Sequence, residues 1–251
     1  MKHPLLIGIG GAHSGIGKTT IASAVIAHLT DHPIYPFSHP PKIGAIKYTK
    51  TAFYSSIVDD KTIIRQENKD TKKLLDAGSE NVLWVQSPQN ELDEILPLAV
   101  DRLSGLDCVI VEGNSAIEFL KPDVVIFLFD DSRGRIKPSA VRILKMADII
   151  ALRDEDQRPE VRDRNANKSV RYCLAPAPAD KKTLKLLINL IEMTIKEKNI
   201  EELLRKKSDE GRLTCSEARK IAEELGVEYK EVGKTANKLK IKIKNCELGC
   251  F

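Results

Sequence analysis

The chain has 251 residues, 42% hydrophobic and 30% charged, enough apolar material for a full core and a composition that excludes a fibrous or disordered protein. Its 40 basic and 36 acidic side chains leave a net charge of only +4, so any anion-binding surface must be local. A glycine-broken opening, the lack of any apolar run near the ~18 residues of a membrane span, and five cysteines predict a cytoplasmic protein without structural disulfides or membrane association.

Short β-branched runs alternate with helical patterns, which predicts a three-layer α/β domain with a mostly parallel sheet. Strands are expected at Leu5–Gly10, Lys42–Ile46, Val82–Val85, Cys108–Val111, Val124–Phe129, Ile149–Leu152 and Val170–Leu174. Several are apolar at consecutive positions, as strands covered on both faces should be. Helices are expected at Lys18–Leu29, Asp70–Ala77, Glu91–Leu103, Lys137–Met146 and Lys181–Lys196. The composition shifts near Glu197, dividing the chain into residues 1–197 and a small helical domain, 198–251. That domain reads as three helices: Asn199–Lys207, Ser216–Leu225 with Thr214 as N-cap and Glu217 closing a capping box, and Tyr229–Leu239 after a stop at Gly226.

Between the first strand and the first helix stands Ala12-His-Ser-Gly-Ile-Gly-Lys-Thr19, a phosphate-binding loop (P-loop) sequence with alanine where the pattern opens on glycine. Glycines let successive amides turn toward phosphate oxygens, and the following helix points its positive end at the same place. The loop residues His13, Ser14, Gly15, Ile16 and Gly17, with Lys18, Thr19 and Thr20, are therefore the candidate triphosphate contacts. Lys18 is expected at the β- and γ-phosphates and Thr19 on Mg²⁺. His13 reads as a loop-edge residue rather than a catalyst.

Cys108-Val-Ile-Val-Glu112-Gly113 is a buried strand ending in an acid and a glycine, where such proteins place a carboxylate near Mg²⁺ and an amide near the γ-phosphate. Lys18 and Glu112 are the candidate catalytic residues, and Gly113 a candidate nucleotide contact. Asp107, at the other end of that strand, reads as structural. Asp70 fits either the N-cap of its helix or a place beside nucleotide and metal.

The loop, Lys42-Ile-Gly-Ala-Ile-Lys47-Tyr-Thr-Lys, Asn68-Lys-Asp70-Thr71-Lys-Lys-Leu-Leu-Asp-Ala77-Gly78 and Val109-Ile-Val-Glu112-Gly113 occur in an order that resembles the molybdopterin-guanine dinucleotide biosynthesis protein B (MobB) family. The resemblance covers roughly the first 120 residues. Tyr48, Asn68 and Lys73 depart from the family's histidine, glycine and arginine, and Tyr54–Gln66 is an insertion. The resemblance implies GTP binding with weak hydrolysis, Mg²⁺, and a partner protein that processes molybdopterin. It places Lys47 near the phosphates, Asp70 and Thr71 near nucleotide and metal, and makes Thr19, Glu112 and Asp70 the metal set.

Guanine selection commonly uses Asn-Lys-x-Asp after a strand; here Arg153-Asp-Glu-Asp156 follows, so Asp156 alone is a candidate base reader and ATP stays open. Lys234, Lys238, Lys240, Lys242 and Lys244 lie in an acid-free stretch beyond a helix-turn-helix spacing and could meet nucleic-acid phosphates. The near balance of charge across the domain speaks equally for protein binding or simple packing. Cys215, Cys246 and Cys250 could hold a soft metal, or remain free thiols. Two other functions fit the sequence: a nucleotide-gated, metal- or thiol-responsive DNA-binding regulator, and an ATP-dependent ligase of the dethiobiotin synthetase kind. A homodimer is compatible with all three.

Overall fold

Strands buried on both faces must be apolar at consecutive positions, and the chain supplies such runs in Val124–Phe129 and Ile149–Leu152, every residue of which is buried. The computed structural model describes residues 3–130, 138–153, 170–175 and 180–245. In chain order these form β1 (Leu5–Gly11), α1 (Lys18–Asp31), β2 (Ile43–Lys50), β3 (Ser56–Val58), α2 (Lys61–Ile64), α3 (Asp70–Asp76) and β4 (Asn81–Ser87). There follow α4 (Leu92–Arg102), β5 (Cys108–Glu112), α5 (Asn114–Leu120), β6 (Val124–Phe129), α6 (Pro138–Met146), β7 (Ile149–Leu152) and β8 (Arg171–Leu174). The remainder is α7 (Lys181–Lys207), β9 (Arg212–Thr214), α8 (Cys215–Leu225), α9 (Tyr229–Lys238) and β10 (Lys242–Lys244).

The main sheet has the order β3-β4-β2-β5-β1-β6-β7-β8, all parallel except β3, which runs antiparallel to β4. The chain reverses direction across the sheet at β1, which lies between β5 and β6. The loop after β1 therefore opens at the carboxyl end of the sheet beside a topological switch point, the place where α/β proteins bind ligands. This is the α/β fold of P-loop nucleotide-binding proteins, and a small helical unit follows it.

The described residues separate into two compact units, the first reaching Leu190 and the second beginning at Ile191. The first unit's core is centred on fully buried Ile7, Ile9, Ile26, Ile110 and Phe127. Cys108 and Cys173 are also core residues; burial raises the Cys108 thiol pKa and pushes that of Cys173 up to about 11, so both are protonated at neutral pH. The second unit packs α8 and α9 through Ile221, Ala222, Val232 and Ala236, with Ile200 and Leu204 of α7 in the same cluster.

Some expected elements differ. The helices read as Lys181–Lys196 and Asn199–Lys207 are one helix, α7, since neither glycine nor proline interrupts Glu197-Lys-Asn199. The sequence reading missed α2, α5 and the three-residue strands β3, β9 and β10, which are too short to show a period. Of these, α2 is set by Asp60, whose carboxylate accepts from the Thr62 amide at 2.7 Å. The capping of α8 is as expected: the Thr214 hydroxyl accepts from Glu217 N at 3.2 Å and the Glu217 carboxylate accepts from Thr214 N at 2.9 Å. Gly226 ends that helix in the left-handed region at φ 62°.

Replacing Thr214 by alanine removes this box and should lower stability by about 1 kcal/mol, read as a lower urea midpoint by circular dichroism; an unmoved midpoint would deny the cap that role. Alkylation of the native protein with iodoacetamide near neutral pH should spare Cys108 and Cys173, and peptide mapping that finds either labelled would contradict their burial.

Candidate functional site

Register creates the site. In the parallel pair β2·β5, Lys47 lies opposite Glu112, and in β1·β5 Ile9 lies opposite Glu112. Partners in register share a face of the sheet, so Lys47 and Glu112 project side by side at its carboxyl end, on the face that α1 and α3 cover. Glu112 is only 2% exposed, and the Lys47 ammonium bonds directly to its Oε1.

Thr19, in the first turn of α1, donates its hydroxyl to the same carboxylate, at 2.9 Å from Oε2 and 3.1 Å from Oε1. Lys47 Nζ also donates to Asp70 Oδ2 at 2.9 Å and stands 3.4 Å from Thr19 Oγ1. The ammonium of β2 thus sits among two carboxylates and a hydroxyl from three other elements, β5, α3 and α1. Burial works to lower the Lys47 pKa, but the charge of Glu112 and hydrogen bonds to Glu112 and Asp70 outweigh it and hold the pKa above its ordinary value. Asp70 is pushed upward by burial, yet its bond to Lys47 and the charges of Lys47 and Lys73 leave it below the usual carboxylate range.

These positions decide what the sequence left open. The N-cap of α3 is Lys69, and Asp70, the first residue of the helix, turns its carboxylate to Lys47 and Lys73 instead of capping. Thr71 does not join the cluster: its buried hydroxyl donates to the Ile64 carbonyl at 3.0 Å and ties α3 to α2. Asp107 accepts from the Lys42 amide at 2.8 Å, a structural bond at the far end of β5.

The loop between β1 and α1 is held from outside as well as by its own turns. Gly17 has φ 101°, in the left-handed region that glycine alone enters cheaply, while Ala12 does not share that conformation and is buried. Alanine in place of the first glycine therefore brings no strain. Lys18 Nζ donates to the His13 carbonyl at 3.0 Å, folding over the loop. His13 points its buried Nε2 toward Asp130, 3.6 Å from Oδ2. Ser14, Gly15 and Thr20 are exposed, and Ile16 is buried.

Two clamps on this loop were not anticipated. Asn114 accepts from Gly11 N and donates to Gly11 O, both at 3.0 Å. Arg153 Nη2 donates to the Ile16 carbonyl at 2.9 Å. Sequence offered little signal for the first beyond an amide side chain directly after Glu-Gly. Gly113 has φ 135°, and a Cβ there would lie 3.0 Å from the Tyr48 Cβ, so glycine is required by both conformation and space. Asp156, Cys246 and Cys250 lie outside the described residues; among the described residues, no cluster of three histidine, cysteine or acidic side chains could hold a metal.

The residues present fit Mg²⁺: the cluster offers hard oxygen donors, and the Lys47 ammonium occupies the cationic position among Thr19, Asp70 and Glu112. No family model matches the chain, and no curated protein sequence does. Among solved structures it is similar to a LAO/AO transport system kinase, with a TM-score of 0.47 and 16% identity over 95% of this chain and 70% of that one. It is also similar to LpxK from Aquifex aeolicus crystallised with ATP, with a TM-score of 0.37 and 12% identity over 89% of this chain and 68% of that one. Likenesses this distant say nothing of substrate or partner. The fold and loop of the chain itself define its class, the P-loop nucleotide-binding proteins. Among the described residues no helix is long and apolar enough to cross a membrane.

Removing the internal cation should expose the cost of burying Glu112. Lys47→Met should destabilise the nucleotide-free protein by about 3 kcal/mol, and added Mg²⁺ should then raise its melting temperature while leaving the wild type's unmoved. A variant as stable as wild type, or one blind to Mg²⁺, would show that the cluster does not depend on a cation.

Proposed function

We propose that this chain binds a magnesium–nucleoside triphosphate on the Ala12–Thr19 loop, hydrolyses it slowly, and uses GTP in support of a partner protein that processes molybdopterin. The observation that carries the nucleotide and metal reading is the convergence of Thr19, Lys47, Asp70 and Glu112 directly beside the loop. GTP and molybdopterin rest on the resemblance of four ordered sequence segments to the MobB family.

In the reaction a water oxygen bonds to the γ-phosphorus, the bond to the β–γ bridging oxygen breaks, and nucleoside diphosphate, phosphate and a proton are released. Lys18 and the loop amides would neutralise charge growing on the bridge, which is the main demand of phosphoryl transfer. Thr19, Glu112 and Asp70 would hold Mg²⁺, whose part is to neutralise phosphate charge. Lys47 would leave those oxygens and turn its charge to the nucleotide. Both carboxylates would then be engaged with Mg²⁺, which would leave neither free to accept a proton from water and supports slow turnover. Glycine at 113 would let the backbone approach the γ-phosphate.

Binding of fluorescent GTP and ATP analogues with Mg²⁺ tests this reading. Lys18→Ala should weaken binding by about 10- to 100-fold, the loss of a charge-assisted bond, and guanine should be preferred. No binding by the wild type would remove the nucleotide reading. Adenine preference would remove the molybdopterin role and favour an ATP-dependent ligase.

A further inference from the structure

The second unit separates its charge. From Val232 to Asn245 the chain has five lysines and no acid. One is spent internally: Lys238 bonds Glu197 at 2.7 Å and Glu201 at 2.9 Å, both on α7, and those carboxylates hold its pKa up against partial burial. The other four, Lys234, Lys240, Lys242 and Lys244, are exposed and form no ion pair among the described residues. Some lysines elsewhere, such as Lys47, Lys72, Lys196 and Lys207, are paired with acids. Four exposed cations within eleven residues, none paired with an acid among the described residues, make a local positive patch that can attract a polyanion.

Their placement is ordered. On α9, Lys230, Lys234 and Asn237 are exposed at helical spacing, opposite buried Val232 and Ala236. In the β9·β10 pair, Lys242 lies opposite Arg212 and Lys244 opposite Thr214, while Ile243 and Leu213 pack into the core. Arg212, Lys242 and Lys244 thus share the outward face of this small sheet. Between the two stripes stands Lys240 at φ 58°, in the turn that joins α9 to β10.

The connectivity supplies an independent observation. α8 and α9 form a helix-turn-helix through the left-handed Gly226, and the strands before and after the helix pair bond to each other. In helix-turn-helix proteins that bind DNA the second helix lies in the major groove, and here the strand pair stands beside that helix in the chain. Glu231, the acid next to this stretch, is engaged in the α9 capping box, where its carboxylate accepts from the Glu228 amide at 3.2 Å.

We infer that the second unit binds double-stranded DNA, with α9 in the major groove through Lys230, Lys234 and Asn237, and Arg212, Lys242 and Lys244 on the phosphates. The interface lies wholly within this unit and is independent of the nucleotide reading. Lys238 has no part in it.

The test is fluorescence anisotropy of the full chain with a labelled mixed-sequence DNA duplex of about 30 base pairs, across a salt series starting near 50 mM. Wild type should bind, with log K falling linearly in log salt. The triple variant Lys234→Gln/Lys242→Gln/Lys244→Gln should bind at least ~10-fold more weakly at the lowest salt, with a slope shallower by about 2 to 3 units. Its far-ultraviolet dichroism and nucleotide binding should match wild type. Lys238→Gln should keep the wild-type slope. Absence of duplex binding at the lowest salt, or an unchanged slope in the triple variant, would overturn the inference. Binding of an RNA hairpin as tightly as the DNA duplex would overturn it too, because an A-form major groove does not admit a helix.

Discussion

A carboxylate buried at the end of an otherwise apolar strand is the constraint on which the nucleotide-binding end depends. Cys108 to Val111 are all core residues, and the strand then ends on Glu112 with 2% exposure. An unpaired charge there would cost several kcal/mol. The sheet meets that cost by register, since the neighbouring strand brings Lys47 opposite it. The same carboxylate anchors Thr19 at the start of α1, and the same ammonium anchors Asp70 at the start of α3. Four elements are thus oriented by one anion and its counter-ion, and the loop between β1 and α1 inherits their positions.

That loop is stiffened in a way suited to receiving charge. Asn114 satisfies both backbone groups of Gly11, and Arg153 ties down the Ile16 carbonyl from the far side. A loop fixed beforehand pays less ordering entropy when a ligand arrives and keeps its dipoles aligned. Lys18 rests on the His13 carbonyl, folded over the same loop.

Much of this was legible in the sequence because it is local. Buried parallel strands announce themselves as continuous apolar runs, and the loop, its helix and the acid-glycine end of β5 each carry their own short signature. What was hidden depends on strand order. Nothing local says that β2 and β5 are neighbours, so Lys47 and Glu112 could be singled out separately but not as a pair. Asp70 shows the same limit: an acid at the head of a helix reads equally as a cap or as a site residue, and only Lys47 of β2, which the sequence does not place beside it, draws it from the cap. The Thr71 hydroxyl was equally illegible, being taken by the carbonyl of Ile64, seven residues earlier. The three-residue strands and four-residue α2 are below the length at which any period can be recognised.

Lysine charge shows why composition is a poor guide to surfaces. A net charge of +4 conceals two uses of the same side chain. Lys47 and Lys238 each bridge two carboxylates and are consumed in holding elements together. Lys234, only four residues before Lys238, forms no ion pair among the described residues and is exposed. In sequence the two are indistinguishable, both within an acid-free stretch on one helix. One turn further along α9, Lys238 meets Glu197 and Glu201 of α7, whereas Lys234 forms no ion pair among the described residues. The charge a surface can offer is therefore what remains after internal pairing, and in the second unit that remainder includes exposed Lys234, Lys240, Lys242 and Lys244.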